Sequence, residues 1–306
     1  MSESKPEQVQ PELVRGFKGE SCEYQLSSRN AMLYAIGLGY SNDPLKEKDL
    51  DFTYELAEEF KILPTIGAVF YPVDMMFEML KNCPGMPEFN PMMLLHGEEL
   101  IRSLKPLQQD NTYYVDAELE DVQDKVKGAL VICKMVIYED KQRTQPATEV
   151  KASFFIRGIG GFEKSKKKYK SYINIPKPPK TKPDVVISQK TLPSQAIMYR
   201  LSGDYNPLHI DPSMAAIGGF KQPILHGLCS YGITAKMLTE KFLDNNVDKF
   251  ISMSTRFTSH VFPGETLIVN GWKQETGKIT YAVTTKERKK VIAIGELLYR
   301  DMKPKL

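Results

Sequence analysis

The stretch Asp204–Gly227, DYNPLHIDPSMAAIGGFKQPILHG, holds an Asp, an Asn and a His within its first six positions. Before it, residues 191–203, TLPSQAIMYRLSG, have the pattern of a short helix that ends in glycine. Asp204 therefore follows a helix end and lies in a loop. The Asn206-Pro207 dipeptide holds this loop away from helical geometry, so the side chains of Asp204 and His209 can converge. Such a pair can orient and deprotonate a water molecule.

A second helical pattern begins at Gly227. Its apolar stripe recurs with the 3.6-residue period of an α-helix, at Leu228, Tyr231, Ala235, Leu238 and Phe242. Because the first amides of a helix lack internal partners and the helix dipole is positive there, the N–H near Gly227 suits an anionic oxygen. Glycine also lets a ligand approach the backbone closely.

These residues resemble a known family signature. The run YRLSGDYNPLHIDPSMAAIGGFKQPILHG is similar to that of (R)-specific enoyl-CoA hydratases, the type 2 or MaoC-like hydratases of the hot dog fold. The resemblance implies that Asp204 and His209 hold the catalytic water. It also implies that the Gly227 amide forms the oxyanion hole and that Asn206 supports the pair. On spacing alone, an Asp before Asn-Pro is more typical of a turn former.

The resemblance implies a lyase that hydrates trans-2-enoyl-CoA to (3R)-3-hydroxyacyl-CoA in fatty acid β-oxidation. This reaction needs no cofactor or metal, in keeping with the absence of a GxGxxG loop. Residues 204–211 could suggest a metal loop, but they lack the glycine and distal glutamate of a calcium loop. A hot dog thioesterase and a non-catalytic acyl-CoA-binding protein are the alternatives, and the Asp204/His209 pair argues against both. Which of the two takes the water proton stays open.

Composition describes an ordinary globular chain with room for two domains. The 306 residues are 42% apolar and 26% charged. No apolar run approaches the ~20 residues that span a bilayer. The polar opening differs from a secretory signal. The cysteines form no CxxC motif, and we expect them to be reduced: Cys22, Cys83, Cys133 and Cys229.

The positive charge is concentrated in one segment. Residues 164–183, KSKKKYKSYINIPKPPKTKP, hold eight lysines, four prolines and no acid. Without them 33 basic residues stand against 38 acidic ones, which argues against a nucleic-acid partner. The composition is typical of an extended, solvated linker. Attraction of coenzyme A phosphates to this segment is an alternative interpretation.

The linker divides the chain into halves that resemble each other. An offset of 165 aligns AMLYAIGLGYSNDP with AIMYRLSGDYNPLH and superposes Tyr34 on Tyr199. Further on, LPTIGAVFYPVDMMFEML resembles QPILHGLCSYGITAKML, which places Gly67 opposite Gly227. We interpret these matches as an internal duplication, as the resemblance to fused hot dog modules also implies.

The first half lacks the paired groups. In the register of the duplication, Gly39 stands opposite Asp204 and Pro44 opposite His209, so we expect one active site per chain. The resemblance implies that the first half makes a wide acyl pocket. The run of residues 66–70 could line that pocket, and core packing is the alternative.

These patterns predict an α+β chain with a double hot dog fold, each module an antiparallel sheet wrapped around one apolar helix. The predicted boundaries are a flexible tail at 1–14, a first module at 15–163, the linker at 164–183, the catalytic module at 184–300 and a targeting tail at 301–306. Strands are expected at Tyr113–Leu119, Gly128–Tyr138, Ala147–Ile156, Ser252–Phe257, Thr266–Trp272, Ile279–Thr285 and Val291–Tyr299.

Other features are interpreted locally. The final PKL resembles the peroxisomal SKL address and implies an import receptor as partner, with a cytoplasmic location as the alternative. Arg256 could contact a coenzyme A phosphate or occupy a solvated sheet position. His226 is expected to be structural, and His96-Gly97-Glu98 either structural or part of a pocket lining. Family analogy implies a homodimer.

Overall fold

The computed structural model describes residues 5–163 and 168–300, so the predicted targeting tail lies outside the described residues. The strands of the first half are β1 (Phe17–Lys18), β2 (Cys22–Leu26), β3 (Leu94–Ser103), β4 (Asn111–Asp124), β5 (Gly128–Tyr138) and β6 (Pro146–Arg157). Those of the second half are β7 (Val185–Lys190), β8 (Phe250–Phe257), β9 (Thr266–Glu275), β10 (Lys278–Thr285) and β11 (Val291–Tyr299).

Seven α-helices lie within the described ranges. They are α1 (Pro11–Val14), α2 (Ser28–Gly37), α3 (Leu50–Thr53), α4 (Val73–Asn82), α5 (Gln195–Tyr199), α6 (Pro212–Ile217) and α7 (Gly227–Leu243). Short 3₁₀ helices occupy Glu47–Asp49, Pro64–Val69, Pro91–Met93, Arg200–Ser202, Pro207–His209 and Val247–Lys249. In the part of the chain that the structure describes, no helix is long and apolar enough to cross a membrane.

The strands form one antiparallel sheet in the order β1-β4-β5-β6-β3-β8-β11-β10-β9-β7, with β2 also paired to β4. The α+β double hot dog prediction is confirmed, but the expectation of two separate sheets is wrong. Strands β3 and β8 pair from Glu98 opposite Arg256 to Arg102 opposite Ser252. If they did not pair, β3 and β8 would each be an edge strand that exposes a row of unpaired N–H and C=O groups.

The strand order supports the duplication. Read outward from the β3–β8 junction, β6, β5 and β4 on one side correspond to β11, β10 and β9 on the other. The helices follow the same symmetry, because α2 packs against α5. Tyr34 and Tyr199, which the sequence comparison superposed, contact each other with ring centroids 5.9 Å apart. Equivalent residues meet in this way only close to a two-fold axis.

The central helices of the two halves differ. In the second half α7 is a single helix of 17 residues, of which twelve are buried, so it is enclosed on more than the one predicted face. Its counterpart in the first half is broken into the 3₁₀ helix Pro64–Val69 and α4. The extended backbone of Pro72 separates the two pieces, and proline has no N–H to continue a helix. The prediction of one apolar helix in this half is therefore wrong.

The predicted flexible tail is packed over residues 5–14. Val9 and Val14 are buried, and the Gln10 N–H donates to the carbonyl of Gly85 at 2.9 Å. The composition of this segment did not predict these contacts, because the buried side chains are two isolated valines and the hydrogen bond is made by the backbone.

Residues 168–183 of the linker form no helix or strand, and they are not freely solvated. Ile173 is buried. The linker's carbonyls accept hydrogen bonds from side chains of both half-sheets: Gln123 donates to Lys170, Ser254 to Asn174 and Trp272 to Thr181. These contacts hold the segment against the sheet, so the solvated interpretation is wrong for this part.

Candidate active site

The loop after α5 adopts its shape through local hydrogen bonds. Gly203, at φ +128°, ends the preceding 3₁₀ helix in a backbone region that favours glycine. Asp204 Oδ1 then accepts from the N–H of Asn206 at 3.2 Å, and Asn206 Oδ1 accepts from the N–H of Leu208 at 3.0 Å. Asn206 thereby caps the 3₁₀ helix that carries His209.

His209 is buried, and its hydrogen bond fixes which ring nitrogen carries the proton. Nδ1 lies 2.8 Å from the carbonyl oxygen of Ile224. Because a carbonyl can only accept, Nδ1 carries the hydrogen and Nε2 keeps a lone pair. Burial lowers the pKa of His209 by more than the nearby Asp204 charge raises it. The imidazole is therefore neutral at pH 7 and can accept a proton at Nε2.

His226 holds the same loop from behind. Its ring stacks on that of His209 with centroids 3.7 Å apart, and its Nε2 donates to the carbonyl of Asp204 at 3.1 Å. Burial, with the neighbouring His209, lowers the pKa of His226 well below its ordinary value. These contacts are those of a structural residue that positions the backbone of Asp204.

Ligand atoms of Asp204, His209 and His226 lie within 4.8 Å of one another. Carboxylate and imidazole groups are zinc ligands, so this set could in principle hold a metal. However, His226 Nε2 is occupied by the Asp204 carbonyl, and the two rings are inclined by only 28°. Stacked rings direct their in-plane lone pairs along separate lines rather than at one ion. The expectation that this site holds no metal stays a prediction, since the other ring nitrogen of His226, Nδ1, has no hydrogen-bond partner among the described residues.

Gly227 is the first residue of α7. Its N–H has no acceptor within the helix, as at every helix N-terminus. A hydrogen bond from the N–H of Leu225 to the carbonyl of Val261, 2.8 Å, fixes the preceding turn. A Cβ at Gly227 would meet only the ring of Phe257, at an ordinary 3.5 Å. The fold itself therefore does not require glycine here.

A cavity of about 630 Å³ brings these groups together, with Asp204, Asn206, His209 and Gly227 all on its wall. The first half supplies an apolar wall that includes Val69, Met76, Phe77, Met135 and Phe154.

The predicted tunnel segment, residues 66–70, divides between the cavity and the core. Ala68 and Val69 line the cavity. Ile66 and Phe70 are fully buried, and a Cβ on Gly67 would press on core side chains at 3.2–3.3 Å. Pocket lining is therefore correct for Ala68 and Val69, and core packing is correct for Ile66, Gly67 and Phe70.

Arg256 does not belong to the cavity wall in the described structure. Its guanidinium pairs with the Glu98 carboxylate at 2.6 Å across the β3–β8 junction. A coenzyme A contact for Arg256 stays a prediction, and its observed environment is the half-exposed sheet position. The cavity is lined instead by Arg157, His260 and His96. Strand β3 was not predicted, but the alternative that His96-Gly97-Glu98 belongs to a pocket lining holds for His96 and Gly97.

These features define a double hot dog protein with a single Asp/His loop beside a helix N-terminus, at an apolar cavity shared by both halves. Two family models match the chain. The MFE-2 hydratase 2 N-terminal domain covers residues 24–158, and the MaoC like domain covers residues 174–296.

Known proteins match along nearly the whole chain. It is 39% identical to probable enoyl-CoA hydratase 2 of Dictyostelium discoideum, covering 95% of this chain and 96% of that protein. It is 37% identical to peroxisomal multifunctional enzyme type 2 of Mus musculus, covering 85% of this chain but 34% of the mouse protein. A MaoC-like dehydratase from Phytophthora capsici superposes with a TM-score of 0.82 at 36% identity, covering 95% and 98% of the two chains. The chain belongs to the MaoC-like hydratase 2 family.

The buried imidazoles predict a pH-dependent stability. Because the folded-state pKa values of His209 and His226 lie below the unfolded value of about 6.5, their contribution is complete above that pH. It is lost as the pH falls toward the folded values, at up to about 1.4 kcal/mol per pH unit for each imidazole. Urea unfolding at pH 7.5 to 5.5 should show this loss.

A variant separates the contribution of His226 from that of the other titrating groups. In His226→Gln the amide nitrogen can still donate to Asp204, but the titrating ring is gone. We expect the variant to lose less unfolding free energy between pH 7.5 and 5.5 than the parent chain. An identical loss in both proteins would show that His226 is not buried in its neutral form.

Proposed function

We propose that this chain is an (R)-specific enoyl-CoA hydratase, which adds water to a trans-2-enoyl-CoA and forms a (3R)-3-hydroxyacyl-CoA. The observation that carries the proposal is that Asp204, His209 and Gly227 share the wall of one largely apolar cavity. The names of the Dictyostelium relative and of an Arabidopsis thaliana protein, 33% identical over 96% of this chain, support the same activity. The second is named enoyl-CoA hydratase 2, peroxisomal.

The helix N-terminus supplies the electrostatic part of the mechanism. The thioester carbonyl oxygen accepts a hydrogen bond from the N–H of Gly227. Attack at C3 moves negative charge onto that oxygen as the enolate develops. The bond and the dipole of α7 therefore stabilise the transition state more than the substrate, which is the condition for catalysis.

The loop supplies the water and handles its proton. The Asp204 carboxylate and the Nε2 lone pair of His209 accept the two hydrogens of one water molecule. As the water oxygen bonds to C3, one member of the pair takes a proton, and the pair returns a proton to C2. Water is consumed and the pair ends unchanged, so the proposed reaction needs no cofactor and no metal.

One assay separates the three candidate functions. Purified protein is incubated with trans-2-enoyl-CoAs of several chain lengths, and the loss of conjugated thioester absorbance, free thiol and product chirality are followed. A (3R)-3-hydroxyacyl-CoA product supports the hydratase. Release of coenzyme A without hydration would mean a thioesterase, and binding without either reaction would mean a carrier.

Removing either member of the pair should lower kcat. In Asp204→Asn one acceptor becomes a donor, and in His209→Asn the amide can still donate to the Ile224 carbonyl while the Nε2 lone pair is lost. We expect kcat to fall by about two orders of magnitude or more in both, because general acid–base groups contribute 10²–10⁴-fold.

Asp211→Asn is the matched control for these variants. Asp211 lies seven positions after Asp204 and caps α6 through the N–H groups of Ser213 and Met214, a role that asparagine also fills. The control should retain the parent kcat. Near-parental turnover in Asp204→Asn or His209→Asn would refute the assigned roles.

The Gly227 amide can be tested without breaking α7. Proline is favoured at the first helical position, and His226 already has the extended backbone, ψ 139°, that precedes proline. Gly227→Pro removes the N–H, whereas Gly227→Ala adds a Cβ and keeps the N–H. Loss of one oxyanion-hole donor should lower kcat about 10²–10³-fold in the proline variant beyond any effect of alanine. Equal kcat values in the two variants would exclude a role of the Gly227 N–H in stabilising the transition state.

We propose a peroxisomal location, in line with the names of the mouse and Arabidopsis relatives and with the PKL ending. A fluorescent reporter that carries residues 301–306 should enter peroxisomes through the import receptor. A matched reporter without the last three residues should stay in the cytosol. Cytosolic distribution of both reporters would show that PKL is not the targeting signal.

The homodimer stays a prediction. Light scattering would exclude it if the measured molar mass were close to that of one chain.

A further inference from the structure

A β-bulge in β3 brings two polar side chains onto the cavity wall. The pairing of β3 with β6 runs from Leu94 opposite Ile156 to His96 opposite Phe154, and resumes at Glu98 opposite Ser153. Gly97 is the extra residue. In a regular strand His96 and Glu99 would face opposite sides, but the inserted residue turns both toward the cavity. Both line it, whereas Glu98 pairs with Arg256.

The two side chains form a polar pair on a part of the wall that Met135, Phe154 and Phe257 also line. His96 Nε2 lies 2.9 Å from Glu99 Oε2, and the Glu99 side chain is only 2% exposed. Burial raises the pKa of Glu99, while the hydrogen bond from His96 opposes that change. Glu99 Oε1 makes no hydrogen bond to any residue that the structure describes. The Glu99 side chain is almost completely buried and yet lines the cavity, so Oε1 can accept a hydrogen bond from a ligand donor there.

The position of the pair relates it to the reacting end of the substrate. The ring of His96 lies between those of Phe154 and Phe257, with centroid distances of 5.0 and 5.1 Å. Phe257 is also the residue that a Cβ on Gly227 would contact. One aromatic ring therefore separates His96 from the proposed carbonyl site. The pair borders the acyl chain close to the double bond rather than at its far end.

We propose that His96 and Glu99 form a polar subsite that binds a hydroxyl group carried by the acyl chain a few carbons beyond the reacting double bond. The hydroxyl donates to Glu99 Oε1, and His96 holds the carboxyl in place through Oε2. This inference rests on the proposed hydratase function and narrows it to a substrate class: 2-enoyl-CoAs with a hydroxylated acyl chain.

The test compares substrates that differ only in the hydroxyl. The probes are trans-2-decenoyl-CoA and its 5-, 6- and 7-hydroxy derivatives, and the readout is kcat/KM of each derivative divided by that of the parent compound. At least one derivative should have a higher kcat/KM than the unsubstituted chain. Glu99→Leu should lower its ratio by about tenfold or more, because the hydroxyl would then lie against an apolar side chain without a hydrogen-bond partner. Glu99→Gln, which keeps an acceptor oxygen, should give an intermediate ratio.

Glu98→Gln is the matched control, because it changes the adjacent glutamate, which does not line the cavity in the described structure. Its ratio should equal that of the parent protein.

A second measurement needs no turnover. In the parent protein 6-hydroxydecanoyl-CoA should raise Tm more than decanoyl-CoA does, whereas in Glu99→Leu the two ligands should raise Tm equally. Equal ratios and equal Tm shifts in the parent protein and Glu99→Leu would overturn the subsite. Failure to hydrate trans-2-decenoyl-CoA itself would instead overturn the proposed function.

Discussion

The pairing of β3 with β8 is the constraint on which the rest of the molecule depends. Five residue pairs join the two half-sheets, from Glu98–Arg256 to Arg102–Ser252. Because the sheet is continuous there, the inner face of one half borders the inner face of the other. The cavity can then take Asp204, His209 and Gly227 from the second half and an apolar wall from the first. Without that junction the loop of Asp204 and His209 would not face the apolar wall of the first half.

The second constraint is desolvation. His209 and His226 stack at 3.7 Å within the fold, and two imidazolium ions could not share that space. Burial keeps both neutral, and the Ile224 carbonyl then decides which nitrogen of His209 carries the hydrogen. A neutral imidazole with a free Nε2 is what the proposed reaction requires at neutral pH. Packing and chemistry are therefore set by the same contacts, at the cost of stability in acid.

The shape of the loop that carries Asp204 and His209 could be predicted from the sequence because its determinants are local. A glycine stop, an Asn-Pro turn and the 3.6-residue stripe of α7 all act over a few residues, and each appears where it was expected. Strand β3 escaped prediction for the opposite reason. The bulge at Gly97 interrupts the alternation of inward and outward side chains by which a strand is recognised.

The pairing of β3 with β8 could not be predicted from the sequence either. Arg256 meets Glu98, 158 positions away in the chain, and no spacing rule connects two strands at that distance. The linker was misjudged because its composition reports the exposed lysine side chains of the described part, at Lys168, Lys170, Lys177, Lys180 and Lys182. Its backbone carbonyls, which composition does not report, make the contacts with the sheet.

The asymmetry between the central helices explains how two similar halves can share one site. In the second half α7 is continuous and mostly buried, and its first residue, Gly227, shares the cavity wall with Asp204 and His209. In the first half Pro72 breaks the equivalent helix, and residues on both sides of the break, Val69 and Met76 among them, line the cavity. A continuous helix at that position would be expected to fill this space with its own side chains. The first half carries no equivalent of Asp204 and His209, so its broken helix can leave room for the proposed acyl chain without affecting the proposed chemistry.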